Sequence, residues 1–209
     1  MAIHYSRPDG EYAGWGLHLW GDAIADGVGT SWGSPRPFDG IDAFGAYWVV
    51  PIKDATLPVN FIIHNGDVKD PGPDQSIVPQ VNPAAFVKSQ DATLYPQLCA
   101  AEGNAVIHYR RAAGDYGDYT STDYKQFWGL HTWNAAADPG WTTPHKPQRV
   151  DGFGVVFSVP VDQTKDLGYI LHKGDTKDPG SDQFLTFKKY GCEVWQLEGA
   201  DPEALTFCR

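Results

Sequence analysis

A chain of 209 residues with 42% hydrophobic and 20% charged content has the make-up of an ordinary globular protein, either one large domain or two of about 100 residues. A net charge of −10 and an isoelectric point near 4.9 set up a field that repels nucleic acid and anionic lipid, so neither is expected as a partner. No apolar run approaches the roughly 18 residues of a membrane span, and the start, "MAIHYSRPDG", lacks the charged and apolar regions of a signal peptide and reads as an expression start on a fragment.

In chain order, the first half reads as short strands over 2–5, 16–20, 46–51, 60–64 and 93–95. The second half repeats them over 106–109, 129–133, 155–159, 169–172 and 193–197. "PDG", "NGD", "KGD" and "DPG" supply turns between them, and no amphipathic helix of useful length is present. The correspondence extends to sequence. "IHYSRPDGEY" from Ile3 matches "IHYRRAAGDY" from Ile107, and "WGLHLWG" from Trp15 matches "WGLHTWN" from Trp128. "SWGSP" around Trp32 matches "GWTTP" around Trp141, and "DAFGAYWVVP" from Asp42 matches "DGFGVVFSVP" from Asp151. "HNGDVKDPGPDQ" from His64 matches "HKGDTKDPGSDQ" from His172 at nine of twelve positions. The chain is therefore a tandem duplication, 1–98 and 105–209, of a unit the size of a domain. The joint "QLCAAEGN" is short and has no Pro/Ser tract, so the domains are expected to be close and not tethered at long range. The fold expected is all-β: two tandem immunoglobulin-like β-sandwich domains. Of three cysteines, Cys99 and Cys208 each lie near the end of a repeat and Cys192 lies in a strand. A Cys99–Cys208 bridge requires the two ends to meet; otherwise the thiols are free.

Alternate side chains of a strand face opposite sides. In "WGLHLW", Trp15, Leu17 and Leu19 share the core side, which leaves His18 and Trp20 together on the other. In the second copy Trp128, Leu130 and Thr132 face inward, and His131 and Trp133 outward. An indole beside an imidazole makes a flat apolar surface with polar edges, on which the C–H face of a sugar ring stacks. Trp32 and Trp141 either extend that surface or anchor their loops. The repeated loop places Lys69 and Asp74 in the first copy and Lys177 and Asp182 in the second. Lysine offers donors and ionised aspartate acceptors, the pair that adjacent sugar hydroxyls require. A plain structural turn, a surface salt bridge, or a calcium loop using Asp67, Asp70 and Asp74 are the alternatives, the last weakened by the lysine among the aspartates. His64 and His172 end apolar runs and read as satisfied structural histidines. No metalloprotease, esterase, P-loop or dinucleotide motif is present, the histidine spacing is not a zinc pattern, and no carboxylate pair stands in a catalytic setting, so no metal and no cofactor is expected.

"IHYSRPDGEYAGWGLHLWGD", followed by "FDGIDAFGAYWVVP" and "FIIHNGDVKDPGPDQ", resembles the family 41 carbohydrate-binding modules of bacterial pullulanases, the pullulanase-associated domain. The resemblance covers each repeat almost end to end. It implies a β-sandwich that binds α-1,4/α-1,6-glucan polysaccharides and maltooligosaccharides. Two residues on the first strand of the site would stack on glucose, His18 and Trp20 or His131 and Trp133. Lys69 with Asp74, and Lys177 with Asp182, would bond the hydroxyls. Two departures stand out: the first stacking position is often Trp in the family and is His here, and a further stacking Trp of some members is replaced by Gly66 and Gly174. The expectation is a non-catalytic, monomeric starch-binding fragment, covalently linked to the catalytic domain of an extracellular or cell-surface α-glucan-degrading enzyme. A small β-sandwich glycosidase and a protein-binding adhesion module are the alternatives.

Overall fold

The computed structural model describes residues 1–200 and divides the chain into two compact units, Met1–Ala101 and Glu102–Arg209. The first unit runs β1 (Ala2–Ser6), β2 (Gly16–Trp20), β3 (Arg36–Pro37), β4 (Gly40–Ile41), β5 (Ala46–Val49), β6 (Val59–Asn65), β7 (Val68–Lys69), β8 (Gln75–Ile77), β9 (Ala84–Lys88) and β10 (Asp91–Tyr95). A short helix, α1 (Leu98–Glu102), occupies what the sequence reads as a plain joint. The strands form one sheet in the order β10-β9-β1-β5-β4 and another in the order β3-β2-β6-β7, with β8 also paired to β6.

The second unit repeats the plan with β11 (Asn104–Arg110), β12 (Gly129–Asn134), β13 (Arg149–Val150), β14 (Val155–Pro160), β15 (Leu167–Lys173), β16 (Thr176–Leu185), α2 (Phe187–Tyr190) and β17 (Glu193–Leu197). Its sheets are ordered β13-β14-β11-β17 and β12-β15-β16. The fold is the all-β sandwich expected, once per unit. Among the described residues no helix is long and apolar enough to cross a membrane.

Alternation sets which side chains fill each core. Ile3, Tyr5, Leu17, Leu19, Trp48 and Phe61 are fully buried in the first unit, and Ile107, Tyr109, Leu130 and Leu171 in the second. A Leu17→Ala change removes side-chain volume from such a core, a loss that typically costs about 2–5 kcal/mol. Trp128 is buried as expected, whereas Trp15 is only partly buried against the core.

Several features depart from the sequence reading. "AAFVK" forms β9, which pairs in parallel with β1, and β17 pairs in parallel with β11 in the same way. A parallel partner about 80 residues away leaves no local turn signal beside the strand. The polar segment from Lys177 to Gln183, read as a loop, lies inside the ten-residue strand β16, whose pairing with β15 shifts register between Tyr169 and Leu171. Cys99 and Cys192 are buried and disulfide-bonded, which removes the reading of three free thiols. Cys208, the partner that the sequence offered to Cys99, lies outside the described residues.

Candidate functional site

In the first unit β2 pairs with β6, with His18 opposite Ile62 and Trp20 opposite Asn60. Leu17 and Leu19 point into the core, so His18 and Trp20 emerge half-buried on the outer face. Their ring centroids lie 5.2 Å apart with the planes 30° from parallel. Trp32 comes down from the loop before β3 and stacks on His64 at 4.0 Å and 8°. It meets His18 edge-on at 5.9 Å and 80°. The result is a corner of two aromatic surfaces, His18 with Trp20 on one side and Trp32 backed by His64 on the other.

Glycine makes this corner possible. A Cβ at Gly16 would stand 2.8 Å from Pro35, and one at Gly129 would stand 2.6 Å from Pro144. The bare strand lets the proline seat on it, and Trp32 lies three positions before that proline. Gly16 lies on the same face of β2 as His18 and Trp20, and the space a side chain would fill there is taken by the loop.

The polar half comes from β7 and the segment after it. The Lys69 ammonium donates to Asp74 at 3.1 Å and lies 5.7 Å above the Trp32 ring. Both partners are open to solvent, Lys69 at 40% and Asp74 at 60%, so the pair itself contributes at most about 1 kcal/mol and its polar atoms stay available to a ligand. The Trp32 indole N–H donates to Asp67 at 3.2 Å, which fixes the orientation of the ring.

Behind this segment Asp70 is buried and accepts from the Tyr5 hydroxyl, from Arg7 at 3.3 Å and from the Gln90 amide at 2.7 Å. Burial, reinforced by that carboxylate, pushes the Tyr5 phenol up. Asp67, Asp70 and Asp74 thus turn to three different partners, not toward one cation. Asp70 ties the Lys69–Asp74 segment of one sheet to β1 of the other.

The second unit repeats the arrangement. Trp141 stacks on His172 at 4.0 Å and 11°, and His131 meets it at 5.4 Å and 62°. The Trp141 N–H donates to Asp175 at 3.0 Å, and Lys177 donates to Asp182 at 3.0 Å while lying 5.8 Å above the Trp141 ring. Asp178 accepts from Tyr109, from Arg111 at 3.2 Å and from the Gly199 amide at 2.7 Å. The structure therefore brings His18, Trp20, Trp32, Lys69 and Asp74 together in one unit, and His131, Trp133, Trp141, Lys177 and Asp182 together in the other.

The copies differ in their detail. His18 pairs through Nδ1 with the Thr30 hydroxyl at 3.0 Å, whereas His131 faces the Asp138 carboxylate at 3.6 Å. Trp133 lies flat on β15, where a Cβ at Gly168 would stand 2.1 Å from the indole. The next strand adds Phe184, 55% exposed and edge-on to Trp133 at 5.9 Å. Trp20 has Asn60 in the place of Gly168.

Sequence reasoning missed several contributors. His64 and His172 were expected to be satisfied, but each donates only from Nδ1, to the Gly66 and Gly174 carbonyls at 2.8 Å, while Nε2 is buried without a partner beneath the tryptophan. The carbonyl can only accept, so Nδ1 carries the proton. Burial holds the His18 and His172 pKa values below the ordinary imidazole value. Asp67 and Asp175 were not read as indole anchors, and Phe184 was not read at all. The two aspartates recur in both copies of the loop, and Phe184 alternates with buried Gln183 and Leu185, which are the signals that could have found them.

Flat rings set at steep angles, edged by an ammonium and a carboxylate, suit a neutral, hydroxyl-rich ring that offers an apolar face and a polar rim. The family model described as the bacterial pullanase-associated domain matches residues 1–96 and again 103–205. An α-amylase of Streptomyces lividans is 42% identical over 74 residues, which are 35% of this chain and 8% of that enzyme. A multi-modular glycogen-degrading pneumococcal virulence factor superposes with a TM-score of 0.61 at 20% identity, over 98% of this chain and 22% of its own. Family 41 carbohydrate-binding modules from streptococcal virulence factors, solved for their α-glucan recognition, superpose with a TM-score of 0.58 at 19% identity over 98% of both chains. This chain thus spans only a small part of the curated relative and of the multi-modular protein.

Proposed function

The chain belongs to the pullulanase-associated domain family, and on that premise we propose that both of its units are α-glucan-binding modules without catalytic activity of their own. The observation that carries the reading is the doubled corner of Trp20, His18 and Trp32, and of Trp133, His131 and Trp141, each edged by a solvent-open Lys–Asp pair. A 1,4-linked α-glucan curves, so successive glucose rings present their apolar faces in different directions. A corner receives such a chain better than a flat shelf does. Stacking on the rings supplies burial and dispersion, and the lysine and aspartate give direction through the hydroxyls.

The domains so proposed are 1–98 and 105–209, and the chain acts as a monomer. Its partners are starch-type polysaccharides and their maltooligosaccharides. It serves a covalently linked α-glucan-degrading catalytic domain at the cell surface or outside the cell, holding that domain at its insoluble substrate.

Isothermal titration with maltotetraose tests the reading. The wild type binds two equivalents with dissociation constants in the range of tens of micromolar, equivalent to about −6 kcal/mol per site. Trp20→Ala and Trp133→Ala each remove one equivalent, and the double variant binds none while keeping its circular dichroism. Absence of heat from a folded wild type would overturn the proposal. Cleavage of the oligosaccharide by the chain alone would favour a glycosidase instead.

A further inference from the structure

Twelve positions separate Trp20 from Trp32, but only eight separate Trp133 from Trp141. The longer loop of the first module encloses an open cleft of about 540 Å³, lined by Gly27, Gly29, Thr30, Ser31, Ser34 and Arg36 among others. We propose that this cleft is an additional subsite, present in the first module, that takes a further glucose unit of the α-glucan chain held at the His18–Trp20–Trp32 corner. The proposal rests on the α-glucan reading and extends it to ligand length.

The cleft joins the corner directly. Thr30, on its wall, accepts a hydrogen bond from the Leu19 amide at 2.8 Å, and its backbone N–H donates back to the Leu19 carbonyl at 3.1 Å. The same hydroxyl lies 3.0 Å from His18 Nδ1. Trp32 sits in the turn closed by the Ser34 amide on the Ser31 carbonyl at 3.0 Å, so the turn presents an aromatic wall to the corner and hydroxyls to the cleft. A ligand leaving the corner past His18 reaches this lining next.

The lining selects the class of ligand. Gly27 and Gly29 leave bare backbone, and the exposed Ser31 and Ser34 hydroxyls both donate and accept. Arg36 binds both oxygens of Asp39 through Nη2 alone, at 2.9 and 3.0 Å, and its charge is thereby balanced. Val28 adds one apolar side chain to these hydroxyls, amides and the balanced guanidinium, and such a surface suits an uncharged polyol with an apolar ring face, not an anion. The volume lies within the roughly 300–1,000 Å³ of small-ligand sites. In the second module the short loop is accompanied by an apolar neighbour for Trp133, Phe184, so the two modules extend their corners by different chemistry.

The test uses the whole chain with the second site silenced by Trp133→Ala and Trp141→Ala. Maltotriose through maltoheptaose are titrated into this background and into the same background carrying a cleft-filling change. Gly29→Phe is suitable because a Cβ there meets Ile24 at an ordinary 3.5 Å, and Ser34→Tyr is a second variant at an exposed position. The expected result is an affinity that rises about tenfold from the shortest to the longest oligosaccharide. Both filled variants lose that rise and keep the affinity for maltotriose. A rise that survives filling, or no rise at all, overturns the subsite while leaving the corner intact. Loss of maltotriose binding on filling shows that the cleft is no separate subsite. Failure of every oligosaccharide to bind overturns the α-glucan reading itself.

Discussion

His18 and His131 hold the same place in two modules but meet different neighbours, Thr30 in one and Asp138 in the other. Burial, with His64 beside it, lowers the His18 pKa, so its ring stays neutral below the pH at which a free imidazole protonates. A neutral ring stacks without giving up the hydration of a charge. With the second site silenced, maltotetraose affinity should therefore hold constant from pH 8 to about 6.5 and weaken only at lower pH, as titration across that range would show. The same shift acts on stability. His18, His145 and His172 all have lowered pKa values in the fold, with burial the largest cause. The unfolded chain, near the ordinary value of about 6.5, binds more protons than the folded one below that pH. Stability is then complete above about pH 6.5 and declines as pH falls toward the lowered values, which urea unfolding at pH 7.5 and 5.5 would register.

Trp32 and Asp70 separate binding from support at this scale. Trp32→Ala deletes one side of the corner and exposes His64, and should weaken oligosaccharide binding at the first site by about tenfold or more with little change in melting temperature. Asp70→Ala removes the buried acceptor of the Tyr5 hydroxyl and the Gln90 amide, while Arg7 keeps Asp9, and it frees the segment that carries Lys69 and Asp74. Leaving a buried donor without its acceptor costs about 1–3 kcal/mol, so both stability and binding should fall, the first by denaturant midpoint and the second by titration.

At the scale of elements, glycines decide where the aromatic residues lie. Gly168 is the seat of Trp133 on β15, and its absence of a side chain lets the indole reach across to Phe184. Gly168→Val would drive the indole off the sheet. The expected outcome is loss of the second binding equivalent with the first retained, checked by titration of maltotetraose. Period-two alternation made β2 and β12 legible down to which side chains face out, because a strand has only two faces. The same logic did not reveal that Pro35 and Pro144 rest on Gly16 and Gly129. That contact joins residues about 15 to 20 positions apart through a loop with no period of its own. Nor did it reveal β9 or the parallel pairing of β17, whose partners are distant in sequence, or that the second copy of the polar segment continues a strand.

For the whole molecule, the duplication itself carries a prediction. Two weak sites on one chain give a polysaccharide an apparent affinity about 100-fold or more above either site if both engage the same polymer. The intact chain should therefore retain on amylopectin or glycogen gels far more strongly than either single-site variant, Trp20→Ala or Trp133→Ala, while their affinities for maltotetraose differ only by the loss of one equivalent. Equal retention of the intact chain and a single-site variant would mean that the two sites act independently.

The sequence by itself determined the duplication, the all-β class and the inward and outward faces of the His–Trp strand, because these follow from repetition and alternation. Tertiary structure alone decided that Trp32 and Trp141 stand on buried histidines, steeply inclined to His18 and His131, and that Asp70 and Asp178 tie the polar segment to the opposite sheet. It also decided that the longer loop of one module encloses a cleft. Each of these depends on where a loop comes to rest against a strand far from it in sequence. That resting place is fixed by packing and by the burial of a few polar atoms, which no local pattern encodes.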